Sequence, residues 1–168
     1  MHQRSPQIRA KTPRTPLAGP YGHPFHPILV TIPIGAWVAS IVFDIIAFVA
    51  DDPTPYVVGA RILILIGIVG ALLAAVWGFL DYSQLAAGTD ARRTATLHMA
   101  LNLGVTVVFV IDLIVRWTAD DDQVSVIGFI LSLVGLAALG VSGWLGGKLA
   151  YHYGVRVADE RTQSEGFR

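Results

Sequence analysis

Residues 62–80 read ILILIGIVGALLAAVWGFL, nineteen positions without a charge, an amide or a hydroxyl. At 1.5 Å rise per residue this run is about 28 Å long, close to the roughly 30 Å hydrocarbon thickness of a bilayer. No polar period interrupts it, so it specifies no water-facing side. Inside lipid every backbone N–H and C=O must be paired within the segment, and a helix is the single-segment solution. The run is therefore read as a membrane-crossing helix, extending over about 57–80.

Three further runs of the same kind lie outward from it, at about 27–50, 94–117 and 124–147. The chain has 168 residues, one domain by length. It is 54% hydrophobic and 14% charged, against about 25% charged residues in soluble domains. The fold class that follows is an all-α membrane protein, a bundle of four transmembrane helices. Asp51-Asp52-Pro53-Thr54-Pro55 predicts a turn that breaks the helix twice. Residues 81–93 form the longest loop, and 117–123 carry Asp120-Asp121-Asp122. Such short links make consecutive helices antiparallel neighbours.

Residues 1–20 are rich in Pro, Arg and Lys without an apolar stretch, which predicts a disordered tail rather than a signal peptide. The four-helix domain is then 21–157, and 158–168 is a second tail. Ten of the twelve Lys and Arg residues fall in the first tail (Arg4, Arg9, Lys11, Arg14), the middle loop (Arg92, Arg93) and the C-terminal segment (Lys148, Arg156, Arg161, Arg168). The other two loops carry five aspartates. Basic residues stay on the cytoplasmic side, so both termini are expected there, in a multi-pass protein of the cell (inner) membrane.

The letters also carry a faint repeat. Shifted by 65, the second run places Val69, Gly70, Val76, Gly78 and Leu80 on Val134, Gly135, Val141, Gly143 and Leu145. Shifted by 68, the first places Val42, Asp44 and Ile46 on Val110, Asp112 and Ile114. The alternatives are chance among apolar letters and two tandem helical hairpins about an axis along the membrane normal. Small residues four apart, among them Gly67, Ala71 and Ala75, then Gly70, Ala74 and Gly78, with Gly135 and Gly143 two turns apart, predict close helix contacts.

Ionisable groups inside a span cost about 2.5–3.5 kcal/mol on an insertion scale, so they belong on inward faces or near interfaces. At 100° per residue, His26, Pro33, Trp37, Ser40 and Asp44 form one narrow stripe. His98, Asn102, Phe109, Asp112 and Arg116 form another. Each stripe starts with a histidine at the cytoplasmic end and reaches an aspartate near the outer end, so the two faces are expected to look at each other. Asp112 and Arg116 stand i, i+4, where side chains meet, and Asp44 is expected to pair with Arg61. Helix-locking ion pairs and a proton or ion path are both open readings.

His23 and His26 precede the first run, His98 opens the third, and His152 follows the fourth, so with Asp81 they share a depth. Neutral imidazole binds haem iron, zinc or copper. His26 opposite His98, with Trp37, Phe25, Phe109, Trp77 and Trp144 as walls, would suit a b-type haem, and His152 could replace either ligand or bind a propionate. The alternatives are a non-haem metal on His26 and His98, and structural or capping histidines. Lys148, Tyr151, His152, Tyr153 and Arg156 are expected to form an amphipathic extension on the cytoplasmic surface.

No cysteine is present, which excludes disulfides, cysteine-ligated clusters and thioether-attached haem. Formal net charge is zero and no basic patch interleaves with aromatics, which excludes nucleic acid as a partner. No nucleotide-binding or hydrolase motif occurs, so an enzyme is not indicated.

Gly22-His23-Pro24-Phe25-His26-Pro27-Ile28-Leu29-Val30 with Ile32-Pro33-Ile34-Gly35 resembles the opening motif of the bacterial membrane family catalogued as domain of unknown function 2231. Leu97-His98-Met99-Ala100-Leu101-Asn102 and Ser142-Gly143-Trp144-Leu145-Gly146-Gly147 with Tyr151 to Val155 are similar to it too. The resemblance covers about 20–157. It implies a membrane domain without an established activity, and relatives with a fused Rieske-type domain imply redox surroundings. His26, His98 and His152 are the motif positions carried over. The expected function is b-type haem electron transfer near the cytoplasmic face, with a quinone or separate redox protein as partner. The alternative is a cofactor-free structural or accessory subunit of a membrane (respiratory) complex, or a homo-oligomer. A third reading is a small carrier or proton channel on Asp44 and Asp112.

Overall fold

The computed structural model describes residues 5–13, 15–19 and 22–167. Arg4, Arg14 and Arg168, named above, lie outside them. Four helices are long and apolar enough to cross a membrane: His26–Ala47, Thr54–Tyr82, Asp90–Trp117 and Val126–His152. In chain order the elements are α1 (Pro6–Lys11), a 3-10 turn (Pro16–Ala18), α2 (His26–Leu29), α3 (Thr31–Ala47), α4 (Thr54–Tyr82), α5 (Asp90–Trp117), α6 (Val126–Gly147), a π-helical turn (Lys148–His152) and α7 (Glu160–Glu165). The four expected runs are the four spans, with boundaries shifted by a few residues.

Those shifts have local causes. Pro33 has no N–H to give to the Leu29 carbonyl, and the first span is interrupted there, α2 giving way to α3 at Val30. The Asp-Asp-Pro-Thr-Pro segment does not break a helix twice. Both prolines serve the start of α4, where a missing N–H costs nothing, and Asp52 Oδ1 accepts the Thr54 N–H at 3.1 Å. The middle loop shrinks to residues 83–89. Thr89 caps α5 by accepting the Arg92 N–H at 3.2 Å. Arg92 Nη1 donates to the Tyr82 and Leu85 carbonyls, at 3.1 and 3.0 Å.

In the first tail, α1 and the 3-10 turn lie over one end of the bundle, with Ala10 and Ala18 buried. Ala10 packs with Leu85 and Ala95. Trp77 Nε1 donates to the Leu17 carbonyl at 3.1 Å, and the Arg156 N–H to the Ala10 carbonyl at 3.0 Å. Alanine burial leaves no hydrophobic period in a Pro-rich segment, so the sequence carried no sign of it.

α3 packs along α4 and α5 along α6. Across the bundle α2–α3 and α5 meet through side chains at three levels. His26 faces His98, Trp37 stacks on Phe109 at 4.0 Å and 6°, and Asp44 meets Arg116. Both series step 11 residues and then 7, which is three turns and two turns with about 20° of drift each way. The two inward stripes are as expected, and their similar order along the chain makes the first and third spans parallel. Trp37, Ser40, Asp44, Phe109, Asp112 and Arg116 are buried, while Ile, Leu and Val side chains line the outside, where lipid takes the place of water.

The far level is a closed ionic network. Arg116 Nη1 and Nη2 fork onto Asp44 Oδ1 and Oδ2 at 2.6 and 2.7 Å, and Nε reaches Asp112 Oδ1 at 2.7 Å. Ser132 Oγ donates to Asp112 Oδ2 at 2.6 Å. Three spans are thereby joined by groups with 0–2% exposure. The expected Asp44–Arg61 pair does not form: Arg61, two turns into α4, turns instead to Asp121 in the loop between α5 and α6. Arg116 offers Asp44 a bidentate fork at matching depth, which outcompetes that pairing. Removing the shared cation strands two buried carboxylates, so Arg116→Met is expected to cost about 3–5 kcal/mol. Arg61→Met, whose partner is half exposed, is expected to cost about 1 kcal/mol or less. Thermal midpoints of the two variants in detergent check this, and equal losses would contradict the clamp.

Candidate functional site

His26 stands in the first turn of α2, directly after the N-cap residue Phe25. Its Nδ1 lies 2.9 Å from the Ala74 carbonyl of α4. His98 lies two turns into α5, and its Nδ1 is 2.8 Å from the Ser142 carbonyl of α6. A carbonyl only accepts, so in both rings Nδ1 carries the hydrogen. In a neutral imidazole Nε2 is then a bare lone pair. The ring centroids are 6.3 Å apart with planes at 86°.

Small residues make room for both rings. A Cβ on Gly78 would lie 3.0 Å from His26 Cε1 and Nδ1, and one on Gly146 would lie 3.2 Å from His98 Cε1. Asn102 Nδ2 donates to the His98 carbonyl at 2.8 Å and to Ser142 Oγ at 2.7 Å. It is 3.4 Å from His98 Nδ1 and 3.2 Å from Nε2. An in-plane atom nearly equidistant from both nitrogens would overlap the carbon between them. The amide therefore lies over the ring face and leaves the Nε2 lone pair unengaged.

The two halves of this site match in detail. His26 and His98 are 72 positions apart, as are Trp37 and Phe109. Their partners Ala74 and Ser142 are 68 apart, as are Gly78 and Gly146. Gly67 and Gly135, also 68 apart, admit Trp37 and Phe109: a Cβ on Gly67 would run into the Trp37 indole, and one on Gly135 would lie 2.7 Å from Phe109 Cε2. These offsets differ from the 68 and 65 drawn from the letters, because apolar letters exchange freely while the packing glycines do not. Gly143, singled out with Gly135, faces open space, and Gly146 is the residue that packs.

Of the described histidines, His23 and His152 are not brought to the pair. His152 is exposed, its ring resting on Tyr153 at 4.8 Å, and His23 is exposed as well. Among the described residues no group of three or more His, Cys, Asp or Glu gathers as a metal set. The π-helical turn is the cause. Tyr153 N–H bonds the Lys148 carbonyl at 3.1 Å, and Gly154 at φ 67 reverses the chain. That rotates His152 outward and Arg156 inward, so the expected C-terminal amphipathic extension gives way to a fold-back. Of the expected walls, Trp37 and Phe109 are buried, Phe25 packs edge-on against Trp77 at 6.2 Å, and Trp144 is 78% exposed. Asn102 lay in the inward stripe without a role. Ser142 and Gly146 stood in the family-like segment without a role, which the 68-residue offset supplies.

Gly67→Ala and Gly135→Ala are expected to destabilise the protein by about 1–3 kcal/mol through overpacking. Gly104→Ala, at an open position on α5, is expected to be neutral or to stabilise by up to about 1 kcal/mol. Thermal denaturation of the three variants separates the cases.

No curated protein and no solved structure matches this chain. Residues 22–159, which hold all four spans and both site histidines, match the family of predicted membrane proteins called DUF2231, and the chain belongs to that family.

Proposed function

We propose that His26 and His98 would hold a b-type haem and that the protein carries single electrons in the membrane. The carrying observation is the pair of Nδ1–H bonds to the Ala74 and Ser142 carbonyls. Metal-binding imidazoles commonly spend their other nitrogen this way, which fixes tautomer and ring orientation and frees Nε2. The two imidazoles come from separate spans and lie with ring centroids 6.3 Å apart, near enough for one group to be held by both. Two imidazoles alone are too few for a protein-held zinc or copper ion. A porphyrin supplies four nitrogens of its own, so a pair suffices. When bound, haem supplies the one-electron centre. His26 and His98 would hold it, and Gly78 and Gly146 leave room for the two imidazoles.

The same proposal places both termini in the cytoplasm, by the distribution of basic residues, with the histidine pair near that face of the inner membrane. The constant offsets support two tandem hairpins, α2–α4 and α5–α6, about a pseudo-two-fold axis along the membrane normal. A quinone or a separate redox protein is the partner class. The competing reading, a cofactor-free accessory subunit, has the same two hydrogen bonds in its favour, since each ties a histidine to the neighbouring span.

An absorption spectrum separates the two. Protein purified in mild detergent from haem-replete cells is expected to show a Soret band that shifts on reduction with dithionite. His26→Ala and His98→Ala are each expected to abolish it, and His23→Ala and His152→Ala to retain it. A colourless, folded protein would leave the accessory reading standing. For orientation, the absence of cysteine permits single-cysteine labelling. Asp122→Cys is expected to react with an impermeant maleimide on intact spheroplasts, and Thr12→Cys after lysis alone. The reverse pattern would overturn the topology.

A further inference from the structure

Among the described residues two arginine side chains, those of Arg116 and Arg156, are buried, and their environments differ. Arg116 donates from Nε, Nη1 and Nη2 to two carboxylates and a serine. Arg156 has a side chain with 5% exposure but makes one side-chain hydrogen bond, from Nη2 to the Ala18 carbonyl at 3.1 Å. Its Nε lies 3.0 Å from Asp81 Oδ1, as an ion pair off hydrogen-bonding direction. Nε, Nη1 and Asp81 Oδ1 have no hydrogen-bond partner among the described residues. Arg156 also holds a left-handed backbone at φ 60, which side chains other than glycine rarely adopt. A strained backbone delivers a buried cation whose planar fork is largely unused.

The fork sits at the histidine end. Asp81 is one turn beyond Gly78, which packs on the His26 ring. Gly19, following the carbonyl that Nη2 bonds, packs against both the Arg156 guanidinium and the His23 backbone carbonyl, three residues before His26. Trp77, next to Gly78, holds Leu17 of the same arm. The Arg156 guanidinium, the arm and the axial pair thus form one contiguous structure.

We infer that Arg156 recognises the carboxylate edge of the cofactor held by His26 and His98, an inference that rests on the haem reading. Haem b has an apolar ring and two propionates on one edge. The ring belongs between the spans and the propionates toward the bundle end, where desolvating them costs least. Arginine suits a carboxylate because its N–H groups match it in plane, and the charge strengthens each bond. Asp81 keeps the guanidinium partly neutralised without occupying Nη1. His152, the other residue considered for a propionate, is exposed.

The test uses full-length protein produced without haem and titrated in detergent with hemin and with hemin dimethyl ester. The ester has the same iron and ring but no carboxylates. Wild type is expected to bind hemin about 10- to 100-fold more tightly than the ester, the range for a charge-assisted hydrogen bond. Arg156→Gln is expected to lose that preference by weakening hemin alone, and Arg156→Lys to retain part of it. Equal affinity of wild type for both, or equal weakening of both by Arg156→Gln, would overturn the role of Arg156 while leaving the axial pair. The second outcome would mark Arg156 as a support for the arm. Binding of neither porphyrin by folded wild type would overturn the haem reading and this inference with it.

Discussion

A guanidinium buried near one end of a lipid-embedded bundle has to be matched atom by atom, because little water can complete what the protein leaves undone. Arg116 meets that requirement through Asp44 on the first span, Asp112 on its own, and Ser132 on the fourth. The match fixes more than a local contact. Once Asp44 and Arg116 share a depth and a rotation, a seven-residue step brings Trp37 over Phe109. An eleven-residue step then brings His26 opposite His98. Apolar contact in lipid supplies little registry of its own, since the alternative to a helix neighbour is an equally apolar acyl chain. The ionic network sets the axial register, and the stacked rings and packing glycines hold the helices close enough to keep it.

That register makes the proposed repeat physically intelligible. Side chains on an approximate two-fold axis meet their own equivalents. Two neutral imidazoles tolerate this, and two aromatic rings gain from it as stacked partners, worth about 0.5–1.5 kcal/mol beyond burial. Two aspartates or two arginines facing each other in hydrocarbon would not tolerate it. The level that carries charge is accordingly the one where equivalent positions differ in kind, Asp44 against Arg116. Symmetry survives at the histidine and aromatic levels and is broken where electrostatics forbids it.

The spans were legible in the sequence because charge-free runs of this length have few other uses in a folded chain. The inward stripes were legible too, since a histidine, an aromatic and an aspartate recurring within a narrow angular sector need no partner information to detect. Partner choice was not legible. Asp44 had two candidate arginines within reach of a topological argument, and only depth and rotation distinguish Arg116 from Arg61. The histidine end misled for a related reason. Extending α6 as a regular helix keeps His152 near the other imidazoles, but a single π-helical turn with Gly154 at positive φ exchanges it for Arg156. The arm was hidden because its buried positions, Ala10 and Ala18, are alanines among prolines.

The histidine pair uses more chemistry than a structural tie needs. A single donor per hairpin would link each span to its neighbour's carbonyl, and Trp37 does this with its indole N–H to the Ile64 carbonyl at 3.2 Å. Serine, asparagine or tryptophan could supply such a bond at His26 and His98 without carrying a second nitrogen into the bundle. An imidazole spends one nitrogen on the tie and retains a lone pair on the other, which in a membrane is costly unless something accepts it. Two such rings at one depth, on parallel spans, with their neighbouring turns cleared by glycine, share one unmet demand. An electron-pair acceptor held by both rings would answer it for both at once, which is the sense in which the proposed haem would suit this pair.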